Sequence, residues 1–139
     1  METQEGDKLH GSCTWSAQTG YRAWSKYGEV EVFGENGHRA TELMLISAAA
    51  CLGYLMAEYV RERGLPIEDI RVDCEGTFAK RPERLSRIVT TVVVDGEITD
   101  DERQRMLTVC ERACKVMNTL KHQPEIKAVM KMLDGRTVA

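Results

Sequence analysis

The stretch TELMLISAAACLGYLMAEYVRER, residues 41–63, decides the fold of this chain. It has no charged residue at 43–57, and it is too long for a buried strand and rich in Ala, Leu and Met, so we predict one helix. Glu42 suits the positive end of the helix dipole, and Gly64 followed by Pro66 ends the helix. Apolar residues cover every face, which indicates a helix buried nearly all round.

A membrane span is the alternative interpretation of this helix. The uncharged run is fifteen residues long and is bracketed by Glu42 and Glu58, whereas a span needs about 20 apolar residues. We therefore predict the central helix of a protein core and no membrane association.

The composition is typical of one globular domain. With 139 residues the chain can build one core but not two, so we assign residues 1–139 to a single domain. The net charge is −3 and no long Lys/Arg block is present, which argues against a nucleic-acid surface. Five cysteines without a disulfide framework, and an N-terminus METQEGDK without an apolar segment, favour a cytoplasmic chain with reduced thiols.

Alternating apolar residues and β-branched residues predict strands on both sides of the central helix. We predict strands at 12–15, 21–24, 29–33, 70–78 and 85–94, and a short last strand at 124–130. With the helices, this order predicts an α+β domain with a largely antiparallel sheet.

A second helix is predicted after these strands. The sequence TDDE at 99–102 is a capping-box pattern, and an apolar stripe at 106–117 includes Cys110 and Cys114. We expect this helix to end near Asn118.

The central helix also predicts an oligomer. One sheet face and one small helix cannot easily cover an all-round apolar helix in a monomer of this size. We therefore predict a homodimer in which the central helices of two subunits share a core.

Cys51 and Cys114 each lie in the middle of a predicted apolar helix face. Cysteines in such places are usually inert small hydrophobes, so a purely structural role for both is one interpretation. Cys110, Cys114 and His122 suggest part of a metal site, but the chain lacks CxxC and HxxxH motifs. It also lacks a phosphate loop or dinucleotide fingerprint, so we predict no metal and no cofactor.

Two cysteine motifs carry a family resemblance. The first reads ELMLISAAAC at 42–51, and the second, sixty-three residues later, reads CKVMNTL at 114–120. Together they resemble the E-L-L-x-A-A-x-x-x-C helix and the C-x-V-x-x-T-L segment of the OsmC/Ohr family, the relatives of osmotically inducible protein C and of organic hydroperoxide resistance protein. The resemblance spans about residues 28–130.

The resemblance implies an intertwined α+β homodimer, with antiparallel sheets wrapped around long buried central helices. It also implies a thiol peroxidase that acts on organic hydroperoxides. Cys51 would become a sulfenic acid and then form a disulfide with Cys114. An external dithiol of the lipoyl or thioredoxin type would reduce that disulfide.

Activation of the attacking thiol needs a further group, because burial disfavours a thiolate unless a cation or hydrogen-bond donor opposes it. Peroxidase members of the family use an Arg from the N-terminal strand region, oriented by a Glu near the helix start. Arg22, Arg39 and Glu42 are the candidates that this resemblance implies.

The chain departs from the family pattern in two places. Ala40-Thr41 stands where the best-studied peroxidases have Pro-Glu, and Lys115 stands where many relatives carry Pro. The missing Pro-Glu, and the lack of a motif that fixes Arg22 or Arg39 as the activating residue, favour an alternative. In it, the protein keeps the fold but binds a small hydrophobic or electrophilic ligand in the dimer-interface pocket without turnover.

Overall fold

The computed structural model describes residues 3–137 and shows an α+β chain. The elements within these residues are β1 (Ser12–Ser16), β2 (Gly20–Ser25), β3 (Gly28–Val30), α1 (Ala40–Arg63), β4 (Asp69–Ala79), β5 (Arg84–Asp95), α2 (Asp100–Ala113) and α3 (Lys115–Lys121). They divide into two compact units. The first unit contains the residues up to Ser47 and Cys74–Thr90, and the second contains Ala48–Asp73 and the residues from Thr91 onward.

The predicted central helix is confirmed as α1, which begins one residue earlier than expected, at Ala40. The Glu42 carboxylate accepts a hydrogen bond from the backbone N–H of Arg39 at 3.0 Å and thereby caps the start of the helix. Gly64 ends the helix with a φ of 61°, a left-handed conformation that glycine adopts without strain.

In the first unit, β1, β2 and β3 form an antiparallel sheet in which Trp15 pairs with Tyr21. The first two predicted strands are confirmed, but the strand predicted at 29–33 is too long. β3 ends at Val30, because Phe33 takes a φ of 60° and so leaves the extended region.

β4 and β5 form a two-stranded sheet of their own, so the strands make two sheets rather than one. The turn between them spans only residues 80–83, and a connection this short requires antiparallel strands. Both predicted strands are confirmed. The alternation also holds, because Ile70, Val72 and Cys74 are half-buried while their neighbours are exposed.

The second predicted helix begins as expected. The Thr99 hydroxyl accepts a hydrogen bond from the Glu102 backbone N–H at 3.1 Å. The Glu102 carboxylate does not close the capping box. It accepts instead from the Tyr59 hydroxyl at 2.7 Å, which joins α1 to the start of α2.

The predicted end of that helix near Asn118 is wrong. The chain breaks at Cys114, whose φ of −71° and ψ of 108° are extended rather than helical, and α3 begins immediately afterwards. Cys114 is therefore the C-cap of one helix and the N-cap of the next, not a residue in the middle of a helix face.

The last predicted strand, at 124–130, is also wrong. No described strand pairs with these residues, and the isolated bridge from Lys131 to Thr137 begins one residue after them. Without a neighbouring strand the apolar residues have nothing to pack against, and Ile126 is 81% exposed.

The second unit contains the buried core. The core residues come from α1, from α2 and from the break after it, and they are Leu52, Met56, Tyr59, Val60, Met106, Cys110 and Cys114. Within residues 3–47 and 74–90 of the first unit, no residue is buried.

Gly96, which follows β5, approaches the chain after α1 too closely for a side chain. Its φ is +147°, and a Cβ there would lie 2.0 Å from the Pro66 carbonyl oxygen. We expect Gly96→Ala to lower the free energy of unfolding by about 3 kcal/mol in urea denaturation, because both strain and overlap must be relieved. Gly64→Ala is the control. Gly64 also has a positive φ but has open space around it, so we expect a loss of only about 1 kcal/mol. Equal losses in the two variants would contradict the role of the close approach.

Candidate active site

Cys51 lies on α1 next to the buried Leu52. It is partly buried and packs against the core of the second unit, which includes Cys114. The helix therefore places a partly accessible thiol against a fully buried one.

Cys114 has 0% of its surface exposed. The Cys51 side chain packs against the same buried cluster to which Cys114 belongs. Burial raises the pKa of the Cys114 thiol above its ordinary value, and the contact with Cys51 raises it further. The backbone N–H groups of Met117 and Val116 act in the opposite direction, because they stabilise a thiolate at this sulfur.

The two thiols are free in the structure. Both belong to one packed cluster, Cys114 within it and Cys51 against it. The arrangement suits chemistry in which two thiols are oxidised by two electrons to a disulfide.

Cys110 is a third thiol in the same core. It is buried one turn before Cys114, and burial raises its pKa. No group that lowers the pKa of Cys110 opposes this effect. Cys110 is therefore a poor nucleophile, and we interpret it as a small, unreactive hydrophobic residue of the core.

The raised pKa values of Cys110 and Cys114 predict a loss of stability in alkali. The folded state keeps both thiols protonated where the unfolded state ionises them, so their contribution is complete below pH 9.0 and is lost as the pH rises further. We expect the urea midpoint of the reduced protein to hold up to about pH 9 and to fall between about pH 9 and about pH 10. Cys110→Ala should flatten that fall, and an unchanged slope in this variant would contradict the assignment to Cys110. The pH series stops before the Tyr59 phenol ionises, because burial and its hydrogen bond to Glu102 raise the phenol pKa above 10.0.

A metal site does not form among these residues. Within residues 3–137, no group of three or more His, Cys, Asp or Glu side chains lies close enough together to hold a metal ion. The second unit has three surface clefts of about 380–550 Å³, but neither Cys51 nor Cys114 lines them.

Comparison with known proteins decides the family. The family model for the OsmC-like protein matches residues 33–129, which is well over half of the chain. The chain belongs to the OsmC-like family. The resemblance read from the two cysteine motifs is therefore confirmed.

Solved structures of OsmC-like proteins share the fold. A hypothetical protein from Aquifex aeolicus superposes with a TM-score of 0.72 at 19% identity, covering 87% of this chain and 92% of that one. An OsmC-like protein from Mycoplasma pneumoniae gives a TM-score of 0.73 at 14% identity, with 85% and 90% covered. An organic hydroperoxide resistance protein from Elizabethkingia anophelis gives 0.68 at 14% identity, with 91% and 96% covered. A comparison with curated proteins finds no match.

The OsmC-like fold also explains the apolar α1. By length and composition alone this helix is able to cross a membrane, although the same is true of the core helix of a soluble protein. In this OsmC-like chain, α1 contributes five buried residues to the core.

The candidate activating residues of this OsmC-like protein belong to the first unit, whereas both cysteines belong to the second. Arg22 is exposed, forms an ion pair with Glu29 and lies over the Trp24 ring. Glu42 caps α1 through the backbone of Arg39. No Arg or Lys is among the groups that shift the pKa of Cys114.

Sequence reasoning missed the break that makes Cys114 the N-cap of α3. The apolar stripe continues through the break, so periodicity alone predicts one helix. One signal was present in Asn118, because asparagine is unfavourable inside helices and often bonds to the backbone near their ends.

Proposed function

We propose that this OsmC-like protein is a cysteine-based peroxidase for organic hydroperoxides. The packing of Cys51 against the buried cluster that contains Cys114, in the second unit, supports the proposal. Cys51 is assigned as the peroxidatic thiol because it is the more accessible of the two, and Cys114 as the resolving thiol because it is fully buried beside it.

The chemistry balances with these two residues and one external dithiol. The Cys51 thiolate attacks the distal peroxide oxygen, the O–O bond breaks, and the alkoxide leaves and is protonated to an alcohol. The Cys51 sulfenic acid then reacts with Cys114, forming a disulfide and releasing water. A dithiol of the lipoyl or thioredoxin type reduces the disulfide by exchange and is itself oxidised. The proposal requires no cofactor.

The apolar surroundings support an organic substrate. Cys51 packs against a core built of Leu, Met, Val and Tyr side chains, with Leu55 and Val116 beside it in the same cluster. An alkyl group gains free energy on leaving water for such a surface, whereas hydrogen peroxide does not. The structural neighbour from Elizabethkingia anophelis is an organic hydroperoxide resistance protein, which agrees with this class of substrate.

We further propose a cytoplasmic homodimer in which each chain, residues 1–139, is one domain. Only 22% of the most apolar window of α1 is buried within one chain. Ile46 and Tyr54 on that helix remain 49% and 56% exposed. A second copy is the partner that the apolar helix fits best, because it presents the same apolar surface.

A binding protein without turnover is the second candidate. The observation that favours it concerns ionisation of the thiols. Burial raises the pKa of Cys114, and Arg22 forms an ion pair with Glu29. In that case the pair of thiols would capture a small hydrophobic or electrophilic ligand at the dimer interface.

Thiol mapping separates the two candidates. One equivalent of cumene hydroperoxide is added to the reduced protein, free thiols are blocked, and the peptides are identified by mass spectrometry. The peroxidase should form a Cys51–Cys114 disulfide within seconds, and Cys51→Ser should form none. Thiols that stay reduced for many minutes would exclude the peroxidase and leave the binding protein.

A further inference from the structure

A hydrogen bond joins the end of α1 to the start of α2. The Tyr59 hydroxyl donates to the Glu102 carboxylate at 2.7 Å, and an Arg63 nitrogen lies 3.8 Å from the same carboxylate oxygen. The Arg63 guanidinium also lies over the Tyr59 ring, 4.5 Å from its centroid. Within residues 3–137, every side-chain hydrogen bond or ion pair between α1 and α2 ends at Glu102.

The Glu102 carboxylate does not bind its usual partner. Glu102 is the third residue of α2, and a glutamate at this position ordinarily accepts from the backbone N–H of the capping residue, here Thr99. It accepts from Tyr59 on the other helix instead. Tyr59 is only 6% exposed, and a buried phenol hydroxyl needs a hydrogen-bond partner. The bond therefore constrains α1 and α2 together and does not merely cap α2.

The buried packing of the two helices is apolar and adaptable. α1 contributes Leu52 and Met56 to the buried cluster, and α2 contributes Met106 and Cys110. Apolar packing is not directional, and an unbranched methionine side chain adjusts to shifted neighbours. Such packing holds the helices together but fixes their positions along each other only loosely. A hydrogen bond to a charged acceptor is directional and strong, so it can fix those positions.

The two cysteines lie away from this bond along both helices. Cys51 precedes Tyr59 by eight residues on α1, which is about 12 Å along the helix axis. Cys114 follows α2, twelve residues after Glu102. Cys114 belongs to the buried cluster and Cys51 packs against it, so a shift of α2 along α1 would move one cysteine relative to the other. Because a disulfide requires β-carbons about 3.5–4.5 Å apart, a small shift has a large effect on its formation.

We propose that Tyr59 and Glu102 are positioning residues that fix α2 along α1 and thereby set the effective concentration of the Cys114 thiol at Cys51. Their role in peroxide reduction rests on the proposed function. Their effect on the equilibrium between dithiol and disulfide does not, because that equilibrium is measured with glutathione and without a peroxide.

The test measures the equilibrium constant for the Cys51–Cys114 disulfide. The reduced protein is equilibrated with mixtures of glutathione and glutathione disulfide, so that each protein disulfide formed yields two molecules of glutathione. Thiols are then blocked, and peptide mass spectrometry gives the disulfide fraction. Tyr59→Phe keeps the ring and removes the donor, and we expect it to lower the constant about fivefold. A substitution that destabilises the reduced and oxidised folds equally leaves this constant unchanged, so a purely structural role would not produce the shift.

Variants of Glu102 test the other end of the bond. Glu102→Gln keeps an acceptor oxygen and should recover most of the constant, whereas Glu102→Leu should lower it as Tyr59→Phe does. In the double variant that carries Tyr59→Phe and Glu102→Leu, the two losses should not add, because both substitutions break the same bond.

Asp100→Leu is the matched control. Asp100 is also an acidic residue in the first turn of α2, but its exposed carboxylate pairs with Arg103 on the same helix and does not join α2 to α1. We expect Asp100→Leu to leave the equilibrium constant unchanged.

Three results would overturn the inference. They are a Tyr59→Phe constant equal to that of the unchanged protein, an equal loss in Asp100→Leu, and an unchanged protein that forms no Cys51–Cys114 disulfide at any glutathione ratio. Treating the same proteins with cumene hydroperoxide tests the proposed function separately. A shifted glutathione equilibrium in a protein that does not react with the peroxide would support the positioning role and reject the peroxidase. Reaction with the peroxide, together with an unshifted Tyr59→Phe constant, would keep the peroxidase and reject the positioning role.

Discussion

Cys51→Ser is expected to reduce steady-state reduction of cumene hydroperoxide by about a thousandfold or more, because the serine hydroxyl does not ionise near neutral pH and cannot replace the attacking thiolate. The assay supplies a reduced lipoyl-type dithiol in excess and follows peroxide consumption. Cys114→Ser should behave differently. It should consume about one peroxide for each Cys51 and stop at a sulfenic acid that dimedone can trap.

Cys74→Ser is the control for this pair of variants. Cys74 is a half-buried thiol on β4 that contacts the Thr90 hydroxyl at 3.4 Å, and serine can keep that contact. We expect its turnover to match that of the unchanged protein. Activity that survives in Cys51→Ser, or that falls equally in Cys74→Ser, would contradict the assignment of Cys51 as the peroxidatic residue.

Ala50→Glu is expected to dissociate the proposed homodimer. Ala50 is exposed within one chain and lies between Ile46 and Tyr54, which stand one turn before and after it on α1. A second copy packed on this face would bury the new carboxylate without a partner. Because an unpaired buried charge costs several kcal/mol, the dimer dissociation constant should rise about a thousandfold or more. Sedimentation equilibrium over a range of concentrations measures this constant.

The matched control for Ala50→Glu adds the same charge elsewhere. Gln104 is an exposed residue on α2, and Gln104→Glu should leave the dimer intact. A protein that sediments as a monomer at every concentration before any substitution would reject the dimer. A dimer that tolerates Ala50→Glu would place its interface on another face.

Much of the fold is readable from local patterns. The charge-free run at 43–57 with Gly64 and Pro66 after it predicts α1 to within one residue, and strict alternation predicts β4 and β5. These features depend on periodicity and on residues that end helices, which act over a few neighbours. The failure at residues 124–130 has a different cause. Residues 124–130 are apolar enough for a strand, but a strand exists only where another one pairs with it.

The candidate site was also predictable from the sequence only in part. The sequence by itself determined which cysteines to consider, because the motifs around Cys51 and Cys114 carry the family resemblance that the OsmC-like family model confirms. Only the tertiary structure decided that the two cysteines belong to one packed cluster and that Cys114 stands at a break between helices. A break depends on the balance between helical hydrogen bonds and competing ones, here the Asn118 amide on the Arg112 carbonyl. That balance is settled by packing across many residues, which a periodic pattern does not record.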